Sequence, residues 1–421
     1  MISNLKSILP FLLLLGVVYT PQFGSYDIIG PQWFLLGIVV SFLYLLNLSR
    51  LSFNQFKSPL YYLYGAFVLF AFISGFYSRN FTLYVHDFSR LLIIFSLVLL
   101  FVLFIRQSHF SFKNLSILFS FLLFIEVIYS LNPIIAELYY NGLKILEATS
   151  INLMSLRGVT GNKNIAAASI ALKSVFTFYL LFNSNTIISK FVLSLLILLS
   201  SLALFMLSAR ASLLSFFLVT SIFVLYGIFK IVIKRNASHF FSLLFLISSV
   251  TLAFIFSNIL IPNEDITVAN RISNIEFSNE SSSKRLELWE GAIDYISNNP
   301  IIGCGLGNWK IESAYYMRNS GADYLVPYHA HNDFLEMTTE LGLVGGLLYL
   351  LIFAVAAYTL LLSFIRSKYK VKYLVLITAL IVYTIDALLN FPIERPIMQI
   401  PFALILAFVI HEQTKFKLNE S

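Results

Sequence analysis

Twelve apolar runs, most of them long enough to cross a bilayer and separated by polar turns, constrain this chain more than any other feature. They lie at about 8–20, 33–48, 60–77, 88–105, 115–131, 165–182, 191–207, 212–233, 241–260, 341–365, 373–390 and 398–410. A spanning helix needs roughly 20 mostly apolar residues, and the shorter runs leave room for a tilted or half-inserted helix. The strict alternation of a barrel strand is absent, so the runs read as helices. Apolar residues make up 58% of the chain and charged residues 12%, where soluble domains carry about 45–50% and about 25%. There is too little polar surface to coat a water-soluble globule, and too much apolar content for disorder. The lone Cys304 excludes an intramolecular disulfide and a cysteine-cluster metal site. What remains is an all-α, polytopic integral membrane protein of about twelve spans.

The first run follows Lys6 as a signal sequence would, but it lacks a small-residue cleavage site and Thr20-Pro21 comes next. It reads as an uncleaved first span. Cations set the orientation. With the amino terminus in the cytoplasm, the inward-facing turns hold Arg50, Lys57, Arg106, Lys113, Lys190 and Lys230-to-Arg235, and then Arg366, Lys368, Lys370 and Lys372, against only Glu412 and Glu420. The outward-facing segments carry more acids than cations. Both termini are therefore expected inside. The net charge of +7 is a topological signal, and nucleic-acid binding is not indicated.

The expected organisation is helices one to nine over 1–260, an outside loop over 261–336, and helices ten to twelve with a short tail over 337–421. A loop that long in a compact protein is usually functional. Within it, Ser281-Ser282-Ser283-Lys284 reads as a helix start with Ser283 as N-cap. Leu286, Trp289, Ile293 and Ile296 follow as one apolar stripe, and Asn298-Asn299-Pro300 stops the helix. Gly303-Cys304-Gly305-Leu306-Gly307-Asn308 fails as a dinucleotide fingerprint, because no strand or βαβ unit precedes it, and reads as a tight turn. Tyr328-His329-Ala330-His331-Asn332-Asp333-Phe334-Leu335-Glu336 holds two histidines. The set lacks the Cys or third clustered His that a zinc site would use, and no metal is expected. Either a histidine caps the tenth span, or one of them works as a neutral base near pH 7.

Arg210, in the minimal turn Leu207-Ser208-Ala209-Arg210-Ala211-Ser212, must snorkel to the headgroups or face a polar cavity. Together with Arg285 on the loop helix, and Arg157 and Lys163 in Arg157-Gly158-Val159-Thr160-Gly161-Asn162-Lys163-Asn164, it is a candidate for holding a phosphorylated polyanion. Asp386, an acid near the outer end of the eleventh span, is a natural partner for one of these arginines. Arg90 and His86-Asp87 read as a local structural pair, and Glu126 and Lys173 stay without a role.

Three blocks in order, Arg285-Leu286-Glu287-Leu288-Trp289, then Asn299 to Asn308, then His329-Ala330-His331-Asn332-Asp333-Phe334-Leu335-Glu336, resemble the O-antigen ligase domain family. Ser208-Ala209-Arg210, Gly161-Asn162-Lys163-Asn164 and the large loop before span ten extend the likeness. That family holds O-antigen ligases, O-antigen and capsule polymerases, and protein O-oligosaccharyltransferases. The resemblance implies a GT-C-like fold in the bacterial inner membrane, with the loop and active site facing the periplasm. It implies glycosyl transfer from an undecaprenyl-diphosphate-linked glycan to a hydroxyl, without a nucleotide sugar, a cofactor or, in the ligases, a metal. Residue by residue it implies that His331 is the base and that Arg285 and Arg210 serve the diphosphate. Substrate-binding roles fall to His329, Asn332, Asp386, Arg157, Lys163 and Trp289. The ligase reading, with a lipid A-core sugar as acceptor in lipopolysaccharide biosynthesis, is favoured. A polymerase joining lipid-linked repeat units is the alternative, and a lipid-glycan flippase is less favoured because the polar groups gather on one side and no paired halves are visible.

Overall fold

The computed structural model describes residues 2–20, 29–52, 55–107, 111–141, 156–233, 235, 238–260, 285–316 and 328–420. Every regular element among them is helical. Ten helices are long and apolar enough to cross a membrane, and two shorter apolar helices, Leu9–Tyr19 and Pro59–Ser74, coincide with the first and third expected runs. The expected N-cap Ser283, and much of the long loop, lie outside the described residues.

The chain forms two compact units. The first comprises Met1–Phe110, Glu276–Ser367 and Asp386–Ser421, the second Ser111–Ile275 and Lys368–Ile385. In the first unit lie α1 (Ile2–Gly16), α2 (Ile29–Asn47), α3 (Pro59–Ser74) and α4 (Phe81–Arg106). Short polar side chains start these helices: Ser58 Oγ accepts from Tyr61 N–H (3.1 Å), and Asn80 Oδ1 accepts from Thr82 and Leu83 N–H (3.0 and 3.2 Å).

The second unit holds α5 (Phe112–Asn141), α6 (Lys163–Asn183), α7 (Ile187–Leu207), α8 (Arg210–Val232) and α9 (Ser238–Leu260). Its centre is α6, whose small residues Ala166, Ala167, Ala168, Ser169 and Ala171 are buried and let neighbouring helices come close. Here the structure gives Glu126 and Lys173 a role: Lys173 Nζ pairs with Glu126 Oε1 (2.7 Å), and Ser169 Oγ donates to Oε2 (2.9 Å), so a buried ion pair ties α5 to α6. Removing one partner alone would strand the other charge in hydrocarbon.

The first unit continues with α10 (Arg285–Asn298), α11 (Trp309–Tyr316) and α12 (Asp333–Arg366); α13 (Lys370–Leu389) belongs to the second unit up to Ile385 and to the first from Asp386, and α14 (Pro396–Glu420) is in the first. Within this unit α14 packs on α4, and α3 on α12. On α10 the inward face differs from the expected stripe. Gly291, Ala292 and Tyr295 are buried and pack with Cys304, Trp309 and Ala330, whereas Ile293 is 52% exposed. Small residues beside one aromatic ring let α10 sit close to α11 and the loop, while Leu286, Trp289 and Ile296 of the expected stripe are half-buried.

Helix α12 is broken at Gly342, whose φ of +69° and ψ of −179° only glycine adopts readily. The break frees backbone groups, and residues 300–305 take them up. Leu343 N–H donates to Pro300 O (2.9 Å), Cys304 N–H to Thr339 O (3.0 Å) and Gly305 N–H to Glu340 O (2.9 Å). A Cβ on Gly303 would lie 2.3 Å from the backbone of Glu340. The Gly303-to-Asn308 stretch is therefore more than the expected tight turn: it is a strap laid across a broken helix. Asn308 fastens its far end, accepting from Asn80 N–H (2.7 Å) and donating to Ser78 Oγ (2.5 Å).

Candidate active site

The strap and the first turn of α12 hold the His329–Asn332 loop against the turn that precedes α14. Asn332 is the N-cap, its Oδ1 accepting from Phe334 and Leu335 N–H (3.0 and 3.2 Å), so that oxygen fixes the start of the helix. One residue earlier, His331 has φ +52°. A left-handed non-glycine residue is uncommon and costs on the order of 1–3 kcal/mol. Glu336 folds back to hold the loop in this shape, with Oε1 bonded to His329 Nδ1 (2.9 Å) and Oε2 accepting from Ala330 N–H (2.8 Å).

Phe391 organises the rings. His329 stacks on it at 4.1 Å, His331 meets it nearly edge-on at 4.9 Å, and the Arg395 guanidinium lies 4.0 Å from its centre. From α10, Arg285 Nη2 donates to Asn390 Oδ1 (3.2 Å), and Asn390 Nδ2 donates to Asp386 Oδ1 (2.6 Å). Asp333 Oδ2 accepts from Ile393 N–H (3.1 Å), tying the start of α12 to the same turn. His331, His329, Asn332, Arg285 and Asp386 thus come together in the first unit.

The electrostatics follow from this packing. Burial, then the neighbouring Arg285, His329 and Arg395 charges, lower His331 to about 4. Burial also works to lower His329, but the bonded Glu336 carboxylate, with Glu394 beyond it, leaves it above its ordinary value. The two histidines are driven apart: His331 is a neutral imidazole beside cations, and His329 is anchored to a carboxylate. Burial pulls Arg395 below the usual arginine range, opposed by Asp386, Asp333 and Glu394.

Trp289 sits half-buried on α10, its Nε1 buried without a hydrogen-bond partner among the described residues. Arg157, Lys163 and Arg210 belong to the second unit. Arg157 and Lys163 are exposed there, and Arg210 opens α8 directly after Ser208, which has φ +50°, and Ala209. Arg90 pairs with Asp87 (3.7 Å), as expected, and also with Glu394; Lys310 reaches Asp87 from α11 (3.3 Å). Asp87, Arg90 and Glu394 line a small cavity together with Glu336 and Glu340.

Sequence reasoning missed Arg395, Asn390 and Phe391. The available signal was an arginine set between prolines in the turn Asn390-Phe391-Pro392-Ile393-Glu394-Arg395-Pro396, a few residues beyond an intramembrane acid.

Compared with known proteins, residues 195–350 match the family model described as O-antigen ligase. This stretch runs from within α7, across α8 to α11 and the His329–Asn332 loop, into α12. A candidate polysaccharide ligase of Rickettsia conorii is 34% identical over 74 residues, 17% of this chain and 18% of that protein's length. The helix break at Gly342, the strap and the histidine loop all fall inside the matched stretch, which is similar to the O-antigen ligase family domain.

Proposed function

We propose that the protein is a glycosyltransferase of the bacterial inner membrane that moves a polysaccharide from an undecaprenyl-diphosphate carrier to a lipid A-core sugar hydroxyl on the periplasmic side. One observation carries this reading: within a domain matching the O-antigen ligases, Arg285 and His331 stand at one site, with Asp386 joined to Arg285 through Asn390.

The chemistry follows from those groups. The acceptor oxygen attacks the anomeric carbon as the bond to the diphosphate oxygen breaks, and the electron pair leaves with the diphosphate. Arg285 offers bidentate donors to the charge that develops there, which is worth most where water is excluded. His331 takes the acceptor's proton. Its low proton affinity in the free protein keeps it neutral and ready, and an anionic donor beside Arg285 raises that affinity when a proton must be received. One displacement of this kind inverts the anomeric centre and needs no carboxylate nucleophile. Trp289 would add a face for a sugar ring.

The test is a deletion strain whose lipopolysaccharide is resolved on a gel. Loss of the ligase leaves core with no attached glycan. Core bearing a single repeat unit would assign the polymerase reading instead, and an unchanged ladder would refute both.

A further inference from the structure

Around Arg395 the described residues leave several buried polar atoms without hydrogen-bond partners: Nε and Nη1 of Arg395 itself, Oδ2 of Asp386, Oδ1 of Asp333 and Nδ1 of His331. Arg395, Asp386 and Asp333 are 3%, 2% and 0% exposed, so ordinary solvent exposure does not account for them. Each also has another contact fixing its direction. Asp386 Oδ1 is held by Asn390 (2.6 Å), Asp333 Oδ2 by Ile393 N–H (3.1 Å), and the guanidinium by the face of Phe391 (4.0 Å). The backbone of Arg395 is fixed as well, because its carbonyl accepts the first bonds of α14 from Met398 and Gln399 N–H (3.0 and 2.9 Å).

The mixture of unpaired groups selects the ligand. A diphosphate has acceptors only, and two carboxylates would repel it. A cation would meet the guanidinium. A hydroxyl both donates and accepts, so neighbouring hydroxyls on a ring can donate to the carboxylates while accepting from the arginine fork. Leaving such groups unpaired costs free energy, which a bound sugar recovers. Because His331 and Arg395 touch the same phenyl ring, a sugar seated here has its hydroxyls beside the imidazole.

We propose that Arg395, Asp386 and Asp333 form the acceptor corner of the site, binding a sugar ring through neighbouring hydroxyls, while Arg285, one hydrogen-bonded residue away, serves the donor diphosphate. This rests on the glycosyl-transfer reading above.

The experiment uses full-length protein in proteoliposomes, an undecaprenyl-diphosphate-linked O-glycan as donor and lipid A-core as acceptor. In Arg395→Gln the acceptor KM is expected to rise at least tenfold, with the donor KM within twofold of wild type. Arg395→Lys keeps the buried charge but loses the fork, and its acceptor KM should rise as well; it supplies the measurement if the Gln variant does not elute as a single species. An unchanged acceptor KM, a rise in donor KM instead, or full rescue by Lys would overturn the proposal, the last because it reduces Arg395 to charge balance. Wild-type protein that forms no glycosidic bond would bring down the parent reading and this one with it. Active wild type with an unaltered acceptor KM in both variants would bring down this one alone.

Discussion

In the proposed reaction His331 and Arg285 divide the work at the scale of single residues. His331→Ala removes the proposed base and leaves the backbone turn, so glycan transfer should fall by about 10²–10⁴-fold, the range for a lost general base, while the protein still fractionates with membranes. A pH profile reads the same residue differently. Because burial and the adjacent cations hold His331 near 4 in the free protein, the neutral form dominates above that value. The acid limb of kcat/KM, which reports the free protein, is expected near pH 4; the limb of kcat is expected at higher pH, once a bound anion offsets Arg285. Coincident limbs near pH 6.5 would mean that the base is unperturbed. Arg285 already donates through one nitrogen to Asn390, and a lysine offers only a point charge there. Arg285→Lys should therefore cost about 10²–10³ in rate, measured by transfer in proteoliposomes.

Among elements, the broken α12 and its strap decide whether those residues meet. A Cβ at Gly342 would stand 2.2 Å from Ile301 O, in a backbone region that disfavours any side chain. Gly342→Ala should destabilise the protein by about 1–3 kcal/mol and lower the melting temperature in detergent. Gly65→Ala on α3, with open space around its Cβ position, should not. Equal melting temperatures would show that the strap contributes nothing to stability. The strap's motif was visible as glycines at two-residue spacing, but not its purpose. Each glycine is needed because of what lies across from it: the α12 backbone at Gly303, Ser78 at Gly305 and Asp87 at Gly307, all distant in the chain.

The whole molecule carries one thiol, Cys304, which is buried and pushed up by that burial, so introduced cysteines can report topology cleanly. Lys368→Cys, in the cation-rich turn, should label with a membrane-impermeant maleimide only after the cells are opened. Ile301→Cys, 74% exposed on the strap, should label in intact spheroplasts. The reverse pattern would invert the orientation and turn the site to the cytoplasm.

The residue order alone determined the all-helical class and the positions of the apolar runs, because hydropathy acts locally and is read one window at a time. It also marked His331, Arg285 and Asp386, since charged and imidazole groups at the edges of apolar runs have few innocent explanations. Only the tertiary structure decided what Glu126 and Lys173 do, which face of α10 turns inward, and that Asn390, Phe391 and Arg395 complete the site. Those roles depend on residues brought beside one another from far along the chain: Arg285 meets Asn390 across 105 positions, and no local pattern encodes a pairing that exists only after the helices have packed.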